Sequence, residues 1–175
     1  MRIAVTGTPG TGKTTVARLL AGELHYNYVD LNPLLLKDYK LDYDDEQETW
    51  EVDAGLASRN LKFSDDCVID GHISHIFDVD AVVVLRCAPG ELAARLTGKG
   101  WKLSKIEENL EAEGLNVISD EVWDSPEKRR VVEVDTTRRT PDEVVEEILG
   151  YLRDPGRKSP RLDFVEELPV NLKGI

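Results

Sequence analysis

Residues 7–14, Gly-Thr-Pro-Gly-Thr-Gly-Lys-Thr, constrain the fold more than any other segment of the chain. They match G-x-x-x-x-G-K-[ST], a loop whose backbone N–H groups surround nucleotide phosphates. An apolar run at residues 3–5 precedes the loop, and apolar residues at helical spacing follow it across residues 14–24. This order predicts a strand, a glycine-rich turn and a helix. The alternative is a turn that only caps a helix, which would not require Lys13 and Thr14 directly after the last glycine.

The residue types of this loop indicate its chemistry. Glycines allow positive φ angles, so that successive N–H groups point inward at an anion. A helix that begins near Gly12 adds the positive end of its dipole. Lys13 is expected to bridge the β- and γ-phosphates, and the Thr14 hydroxyl is expected to bind Mg²⁺. The sequence therefore predicts a site for ATP or ADP with Mg²⁺.

Composition limits the classes of partner. A net charge of −12 argues against extensive direct nucleic-acid binding, which needs concentrated Lys and Arg. The charge fits a soluble enzyme, a basic macromolecular partner, or a solvated surface alone. Cys67 and Cys87 lie in apolar runs, as buried reduced thiols do. With no apolar stretch of about 18 residues and no room for a signal peptide before the first strand, we expect a cytoplasmic protein without membrane contact.

The 175 residues alternate between strand-like and helix-like segments. This alternation predicts an α/β fold with a mainly parallel sheet that is covered on both faces. Thr140 and Glu143, on either side of Pro141, predict a capping box for the last helix. The predicted strands are residues 2–6, 26–31, 67–70, 81–86 and 131–135, and the predicted later helices are residues 91–96, 104–113 and 141–152. Ligands of such sheets bind at the carboxyl ends of the strands, where the glycine-rich loop falls.

Three segments lie outside this regular pattern. Residues 30–61 hold an acidic run and then a possible helix, and residues 97–101 form a glycine-hinged turn between two helices. Either is a candidate for a movable flap over the nucleotide. Residues 153–175 are expected to form a partly ordered extension outside the core, whose apolar residues could pack back as a short helix. The acidic run comprises Asp42, Asp44, Asp45, Glu46, Glu48, Glu51 and Asp53.

A second group of polar residues follows the strand predicted at residues 67–70. An apolar strand that ends in Asp70 is the pattern that holds Mg²⁺ beside a phosphate loop, usually through water. His72 is close enough to orient water or to take a proton, although a histidine that only hydrogen-bonds in its loop fits equally well. For His75 and His25 the hydrogen-bonding interpretation is favoured. A metal site built on His72 and His75 lacks a third ligand.

Five motifs of the chain belong together. They are the loop at residues 7–15, Asp70-x-His72, Leu92-x-x-Arg95-Leu96-x-x-Lys99-Gly100-Trp101, Glu-Asn-Leu-Glu-Ala-Glu at residues 108–113 and Val-Asp-Thr-Thr at residues 134–137. With them the chain resembles the adenylate kinase 6-type family, which includes the coilin-interacting nuclear ATPase and archaeal relatives. The resemblance covers about residues 2–152, and the combination of motifs is more specific than the phosphate loop, which a vast superfamily shares.

The resemblance implies a three-layer P-loop NTPase fold of the nucleoside monophosphate kinase type in residues 1–152. It also implies a five-stranded parallel sheet, a monophosphate-binding insert at about residues 28–51, a short lid at about residues 97–107 and a C-terminal extension. Members of the family interconvert ATP plus AMP with two ADP and hydrolyse ATP. They also assist late maturation of the small ribosomal subunit, by transient contact with the pre-ribosome and with a basic platform protein.

The resemblance also implies roles for individual residues. Arg95 would stack on the adenine, Lys99 would reach the phosphates as the lid closes, and Asp135 and Thr136 would line the adenine pocket. Lys13, Asp70, His72 and Lys99 would be the catalytic residues, and Thr14 and Asp70 would hold the metal. The residues expected to contact the ATP phosphates are Gly10, Thr11, Gly12, Lys13, Thr14 and Thr15.

Two departures from the patterns of related enzymes bear on the substrate. Lys99 replaces an arginine that many relatives carry, and lysine lacks the two-pronged guanidinium. Leu36 and Lys37 stand where typical adenylate kinases place an arginine for the AMP phosphate, and the usual Asp-Gly-Phe-Pro-Arg run is absent. Both departures predict less efficient use of AMP.

Two other functions fit parts of the sequence. In an ATP-driven assembly factor, hydrolysis would release a ribosomal protein, and the acidic insert would mimic a phosphate backbone, although a solvated loop also explains the insert. A P-loop kinase for a small metabolite is less favoured, because the sequence shows no cluster of arginines suited to a carboxylate.

Overall fold

The computed structural model of the protein describes residues 1–45, 49–125 and 129–168. The strands are β1 (Arg2–Thr6), β2 (Asn27–Asp30), β3 (Lys40–Asp44), β4 (Thr49–Val52), β5 (Cys67–Asp70), β6 (Ala81–Arg86) and β7 (Arg130–Asp135). The helices are α1 (Lys13–Leu24), α2 (Leu31–Asp38), α3 (Ala54–Asn60), α4 (Pro89–Gly98), α5 (Leu103–Gly114), α6 (Val117–Trp123) and α7 (Pro141–Arg153). Within the described ranges, each helix is too short or too polar to cross a membrane.

Five strands form one parallel sheet, as predicted, and the structure places them in the order β2-β5-β1-β6-β7. The central strand β1 pairs with β5 on one side and with β6 on the other, so that Val5 lies beside both Asp70 and Val83. The chain leaves β1 in one direction to form β2 and later returns to the other side for β6. Such a reversal opens a crevice at the carboxyl ends of the strands, and the loops after β1 and β5 meet there.

Helices cover both faces of the sheet, which confirms the three-layer fold. On one face, α1 and α7 bury Val16, Leu20 and Ile148 against the sheet. On the other face, Leu31 and Leu35 of α2 pack against the sheet in a hydrophobic cluster that also includes residues of α3 and α6. The sheet residues between these layers are buried β-branched and aliphatic side chains, as parallel sheets require.

Two local predictions at the ends of elements are confirmed. At the start of α7, Thr140 Oγ1 accepts a hydrogen bond from Glu143 N (3.3 Å), and Glu143 Oε2 accepts one from Thr140 N (2.8 Å), which completes the capping box. Cys67 and Cys87 are both buried and free. Burial raises the pKa of the Cys87 thiol to about 11, so it stays protonated at neutral pH.

The acidic segment forms more structure than the sequence predicted. Strands β3 and β4 make an antiparallel hairpin, in which Tyr43 and Trp50 are paired and their ring centroids lie 5.1 Å apart. The possible helix after the acidic run is α3. Glu46 and Glu48 of the acidic run lie outside the described residues. The hairpin was missed because the run of charges obscured the alternation of side chains that marks a strand.

The C-terminal segment, expected outside the core, packs against it as far as residue 168. Its buried residues are Ser159, Phe164 and Leu168, and a short 3₁₀ turn forms at Val165–Glu167. Leu168 lies so close to Gly114 that a Cβ atom at residue 114 would collide with it. The sequence predicted a partly ordered extension whose apolar residues could pack back as a short helix. In the described part, Phe164 and Leu168 do pack back, but around a 3₁₀ turn and not an α-helix. Residues 169–175 lie outside the described ranges.

Candidate functional site

A cavity of about 740 Å³ opens at the carboxyl ends of β1 and β5. Its walls come from the phosphate loop, the turn after β5, the segment between α4 and α5, and α2 with the β3–β4 hairpin. The structure therefore brings together segments that lie far apart in the sequence. The predicted site residues that line the cavity are Gly10, Gly12, Lys13, Thr14, Thr15, Asp70, His72 and Lys99.

The backbone of the phosphate loop has the conformation that its glycines permit. Gly10 and Gly12 have φ angles of +98° and +99°. A Cβ atom at Gly10 would lie 2.7 Å from Leu92 Cδ1, so this turn rests directly on α4. Gly12 faces open space and is the N-cap of α1, so that the amino end of the helix points at the cavity. Thr11 is fully buried and does not line the cavity. Its hydroxyl donates to the Thr8 carbonyl, so its side chain stabilises the loop from within.

Lys13 extends from the start of α1 across the loop. Its Nζ donates a hydrogen bond to the Thr8 carbonyl at 3.0 Å. Burial lowers its pKa to about 8, the carboxylates of Asp70 and Glu113 oppose this shift, and the Lys99 ammonium adds to it. The group therefore gains from the arrival of an anion, which would restore its full charge.

Asp70 ends β5 and is only 5% exposed. Its Oδ2 accepts a hydrogen bond from the Tyr28 hydroxyl at 2.9 Å, and burial followed by this carboxylate raises the pKa of Tyr28 to about 12. The Arg18 guanidinium lies over the Tyr28 ring at 4.7 Å. Tyr28 thus orients Asp70, a role that no motif in the sequence indicates, because it depends on the pairing of β2 with β5.

The oxygen atoms of Asp70 and Thr14 suit a magnesium ion, because both residues line the same cavity and offer hard oxygen donors. Within the described ranges, no group of three His, Cys, Asp or Glu side chains could hold a metal ion. Phosphate oxygens and water would have to complete the coordination, as is usual for Mg²⁺ beside a phosphate loop.

His72 and His75 have different surroundings. His72 is open to the cavity, yet nearby protein atoms desolvate its ring, and with the positive charge of Lys13 they lower its pKa. It is therefore mainly neutral at pH 7 and able to accept a proton. His75 is buried, with Nδ1 3.0 Å from Thr6 Oγ1 and Nε2 3.0 Å from a Glu121 oxygen. It has the hydrogen-bonding surroundings that the sequence favoured.

Two lysines of the predicted lid line the cavity. Lys99 is the C-cap of α4 and Lys105 lies in the first turn of α5. Their Nζ atoms lie 5.8 Å and 4.9 Å from the centroid of Trp101, which lies between them in the sequence. Sequence reasoning missed Lys105. Its spacing to Glu108 and Asn109, which also line the cavity, is a helical i+3 and i+4 signal for this face.

Arg95, Asp135 and Thr136 form a separate group that does not line this cavity. The Arg95 guanidinium donates to the Thr136 carbonyl (2.8 Å) and hydroxyl (3.2 Å) and pairs with Glu91 at 3.1 Å. Asp135 Oδ1 accepts hydrogen bonds from the backbone and hydroxyl of Thr137. Arg95 and Thr136 are therefore in contact, and the Asp135 carboxylate stabilises the turn.

The wall opposite the phosphate loop comes from α2 and the hairpin. Leu35 and Val52 form an apolar surface there, and Asn32 adds a polar group. Trp50 also lines this wall and is 41% exposed, with the Lys40 Nζ 3.9 Å from its ring centroid. Among the residues that the structure describes, the cationic side chains of the cavity wall are those of Lys13, Lys99 and Lys105.

Comparison with protein families places the chain. Residues 3–116 match the family model described as the AAA domain, which is more than half of the chain. This protein belongs to the AAA domain family. The match includes the phosphate loop, the turn after β5 and both helices around the predicted lid.

Curated archaeal proteins are similar along nearly the whole chain. A protein from Pyrococcus abyssi is 43% identical over 160 residues, covering 87% of this chain and 84% of the relative. Proteins from Natronomonas pharaonis (38%; 96% and 100% covered) and Methanocaldococcus jannaschii (34%; 95% and 94% covered) are similar over 173 and 176 residues. Each carries the name "Putative adenylate kinase". The chain therefore belongs to the same family as these proteins.

Solved structures support the fold. The deoxyadenosine kinase from M. mycoides, solved with the products dCMP and dCDP, superposes with a TM-score of 0.61 at 16% identity, over 87% of this chain and 98% of that one. The YorR protein of Bacillus subtilis, solved with phosphorylated GDP, gives a TM-score of 0.57 at 18% identity, over 87% and 96%. At such identities the likeness concerns the fold alone.

Proposed function

We propose that this protein is a nucleoside monophosphate kinase of the adenylate kinase 6 type, which transfers the γ-phosphoryl group of ATP to AMP and forms two ADP. The observation that carries the proposal is that the phosphate loop, the Asp70–His72 turn, the lid and the insert all line one shared cavity. A donor and an acceptor nucleotide both need to reach one phosphoryl group. The name shared by the archaeal relatives supports the same activity.

The donor phosphates would bind at the amino end of α1. The phosphate-loop amides and Lys13 would surround them, while Thr14 and Asp70 would hold Mg²⁺. The ion supplies positive charge to the phosphate oxygens when it is bound. Tyr28 keeps the Asp70 carboxylate oriented through its hydrogen bond. Arg95 and Thr136 would support the adenine ring.

The lid would provide the remaining positive charge. Phosphoryl transfer depends on positioning and on cations that neutralise the transferred group. Lys99 at the end of α4 and Lys105 in the first turn of α5 both line the cavity, and together they would replace the arginine that many relatives carry at position 99. Both ammonium groups lie near the Trp101 ring, from which they can turn to a polyanion.

The acceptor would bind against α2 and the hairpin. Trp50 offers a ring face for stacking on the base, Leu35 and Val52 offer an apolar surface, and Asn32 offers a hydrogen-bonding amide. Stacking alone tolerates different bases, so the acceptor range is broader than AMP if Asn32 contributes little.

ATP hydrolysis is proposed as a secondary activity. His72 is neutral at pH 7 and lines the cavity with Asp70, where it can orient water or accept its proton. Hydrolysis would proceed when the lid closes without an acceptor and leaves water in the cavity.

A coupled assay of ATP consumption with and without AMP tests this function. We expect ADP to form rapidly only when ATP, AMP and Mg²⁺ are all present, with other monophosphates tested in parallel. A rate that does not respond to any monophosphate would contradict the kinase assignment.

The second candidate is an ATPase assembly factor that binds and releases a basic small-subunit ribosomal protein, with kinase activity incidental. The observation in its favour is the β3–β4 hairpin, whose exposed acidic side chains include Asp42, Asp45 and Glu51. Stimulation of an AMP-independent rate by such a protein would favour it. The cytoplasmic location stays a prediction from the sequence.

A further inference from the structure

Thr8 occupies a central place in the phosphate loop, although it does not line the cavity. Three hydrogen bonds converge on its carbonyl oxygen: from Lys13 Nζ at 3.0 Å, from Thr11 N at 3.2 Å and from Thr11 Oγ1 at 2.9 Å. The direction of this carbonyl therefore sets where the Lys13 ammonium rests and how the loop turns. Thr8 is only 2% exposed, so water does not replace these contacts easily.

The Thr8 side chain is tied to a distant part of the chain. Its hydroxyl donates to Glu113 Oε2 at 2.5 Å, across 105 residues of sequence. Glu113 lies near the end of α5 and is 2% exposed. The other carboxylate oxygen, Oε1, accepts from Arg86 Nε at 2.8 Å and from Cys87 N at 2.9 Å. Glu113 is therefore fixed from the end of β6 and holds the loop from outside the cavity.

Arg86 anchors Glu113 in turn. Its guanidinium is 2% exposed and donates to Glu133 Oε1 (2.7 Å), to the Glu113 carbonyl (2.8 Å), to Asn116 Oδ1 (2.7 Å) and to the Leu162 carbonyl (3.2 Å). A buried charge that loses its partner is strongly unfavourable. Glu113 cannot shift without breaking this network, so it is a rigid reference point for the phosphate loop.

We propose that Thr8 and Glu113 are positioning residues of the nucleotide site. The bond between the Thr8 hydroxyl and Glu113 holds the Thr8 carbonyl, and through it the Lys13 ammonium, in the binding geometry before a nucleotide arrives. Preorganisation of this kind strengthens binding because less order is lost when the ligand binds. The inference requires only that the phosphate loop binds nucleotide, and not that the acceptor is AMP.

The side-chain hydroxyl can be removed and restored at Thr8 without changing the rest of the site. Thr8→Val keeps the shape and removes the hydroxyl, and Thr8→Ser keeps the hydroxyl and removes the methyl group, so it is the matched control. Calorimetry would measure the binding of ADP with Mg²⁺ to each variant, and thermal melting without nucleotide would verify folding. Where Thr8→Val does not fold, Thr8→Ala takes its place in the comparison.

We expect ADP to bind Thr8→Val about tenfold more weakly than wild type, and Thr8→Ser within about twofold of it. A second readout is the rate at which an amine reagent labels Lys13 in nucleotide-free protein. This rate should rise in Thr8→Val only, since Lys13 loses its resting place. Unchanged ADP affinity and Lys13 labelling in Thr8→Val, with only a lower melting temperature, would overturn the proposal and leave the contact purely structural. A wild type that binds ADP but does not use any monophosphate would contradict the proposed kinase activity and leave this comparison valid.

Discussion

The two walls of the cavity are built in different ways. Behind the phosphate loop, the charged side chains of Arg86, Glu113 and Glu133 are buried and hydrogen-bonded to one another or to the backbone. On the wall formed by α2 and the hairpin, Trp50 is 41% exposed, and its hairpin partner Tyr43 is 45% exposed.

The difference indicates that the wall at the phosphate loop is rigid and that the wall formed by α2 and the hairpin is adaptable. The phosphate side is determined by many core contacts, so its geometry exists before the ligand binds. The hairpin side depends on local pairing and on α2, so it can adjust to its ligand at little energetic cost. We infer that the first wall binds the phosphates common to all nucleotides, whereas the second decides which acceptor is used.

The largest effect is expected from Lys13→Ala on the rigid wall. Removal of this ammonium should lower the rate of ADP formation by about 10²- to 10³-fold, the range seen when a preorganised charge is lost from a transition state. The measurement is the coupled assay, with Lys62→Ala, an exposed loop lysine, as control. Unchanged turnover in Lys13→Ala would refute the phosphate-site assignment.

His72→Gly should slow ATP hydrolysis by at least about tenfold while nucleotide affinity changes little, because the ring acts on water rather than on the phosphates. Hydrolysis and ADP affinity are to be measured on the same preparation. Since burial and the nearby Lys13 charge lower the pKa of His72, the wild-type hydrolysis rate should persist to a more acidic pH than an ordinary histidine base would allow. Equal losses of affinity and rate would instead mark His72 as structural.

Lys105→Gln should reduce the rate of ADP formation by about tenfold, because one lid cation is lost from the transferred group. Lys105→Arg should retain most of the rate. The neighbouring Lys102→Gln is the matched control, since Lys102 does not line the cavity. If both glutamine variants behave alike, the proposed role of Lys105 is wrong.

On the adaptable wall, Trp50→Ala should raise the KM for the monophosphate about tenfold, consistent with a loss of about 1–3 kcal/mol of stacking. The KM for ATP should stay nearly constant. Leu41→Ala, another exposed hairpin residue, is the control. Equal changes in the KM for ATP and the KM for the monophosphate would contradict the proposal that the hairpin wall binds only the acceptor.

The smallest effect concerns pH. Because the pKa of Lys13 is about 8 in the free protein and a bound polyanion raises it, binding above pH 8 should take up a proton. The affinity for ATP should then fall by about fivefold between pH 8 and pH 9. Calorimetry in buffers of different ionisation enthalpy measures the proton uptake. Lys13→Arg should show no uptake, since guanidinium stays charged in this range.

Local patterns in the sequence predicted the regular part of the fold. The five strands of the main sheet were placed to within one residue at each end, because apolar runs bounded by polar residues reflect burial on both faces. The helix around Leu92 was predicted too short by two residues at each end, since Pro89 and Gly98 are unusual helix residues. The sequence did not predict α6, whose short length gives a weak periodic signal.

Within the site, the motifs predicted which segments of the chain line the cavity, but not the hydrogen bonds that hold these segments in place. Asp70 and Lys13 were predicted from local sequence, whereas Tyr28, Thr8 and Glu113 were not. The contacts of these three join elements that are distant in the chain. Arg86 is the last residue of a predicted strand, and nothing in the local sequence singles it out. Only its burial and its bonds to Glu113, Glu133 and the Leu162 carbonyl reveal its structural role.

The sequence by itself determined the phosphate loop, the parallel sheet and the residues that point to phosphate chemistry, because these depend on local backbone freedom and on the periodicity of apolar residues. The tertiary structure decided how the loop is anchored, how the C-terminal segment joins the core and that α2 and the hairpin line the same cavity as the loop. The anchoring of the loop depends on buried charges that pair across the fold, and the docking of the C-terminal segment depends on contacts between residues that are distant in the chain. Neither kind of contact leaves a periodic trace along the sequence.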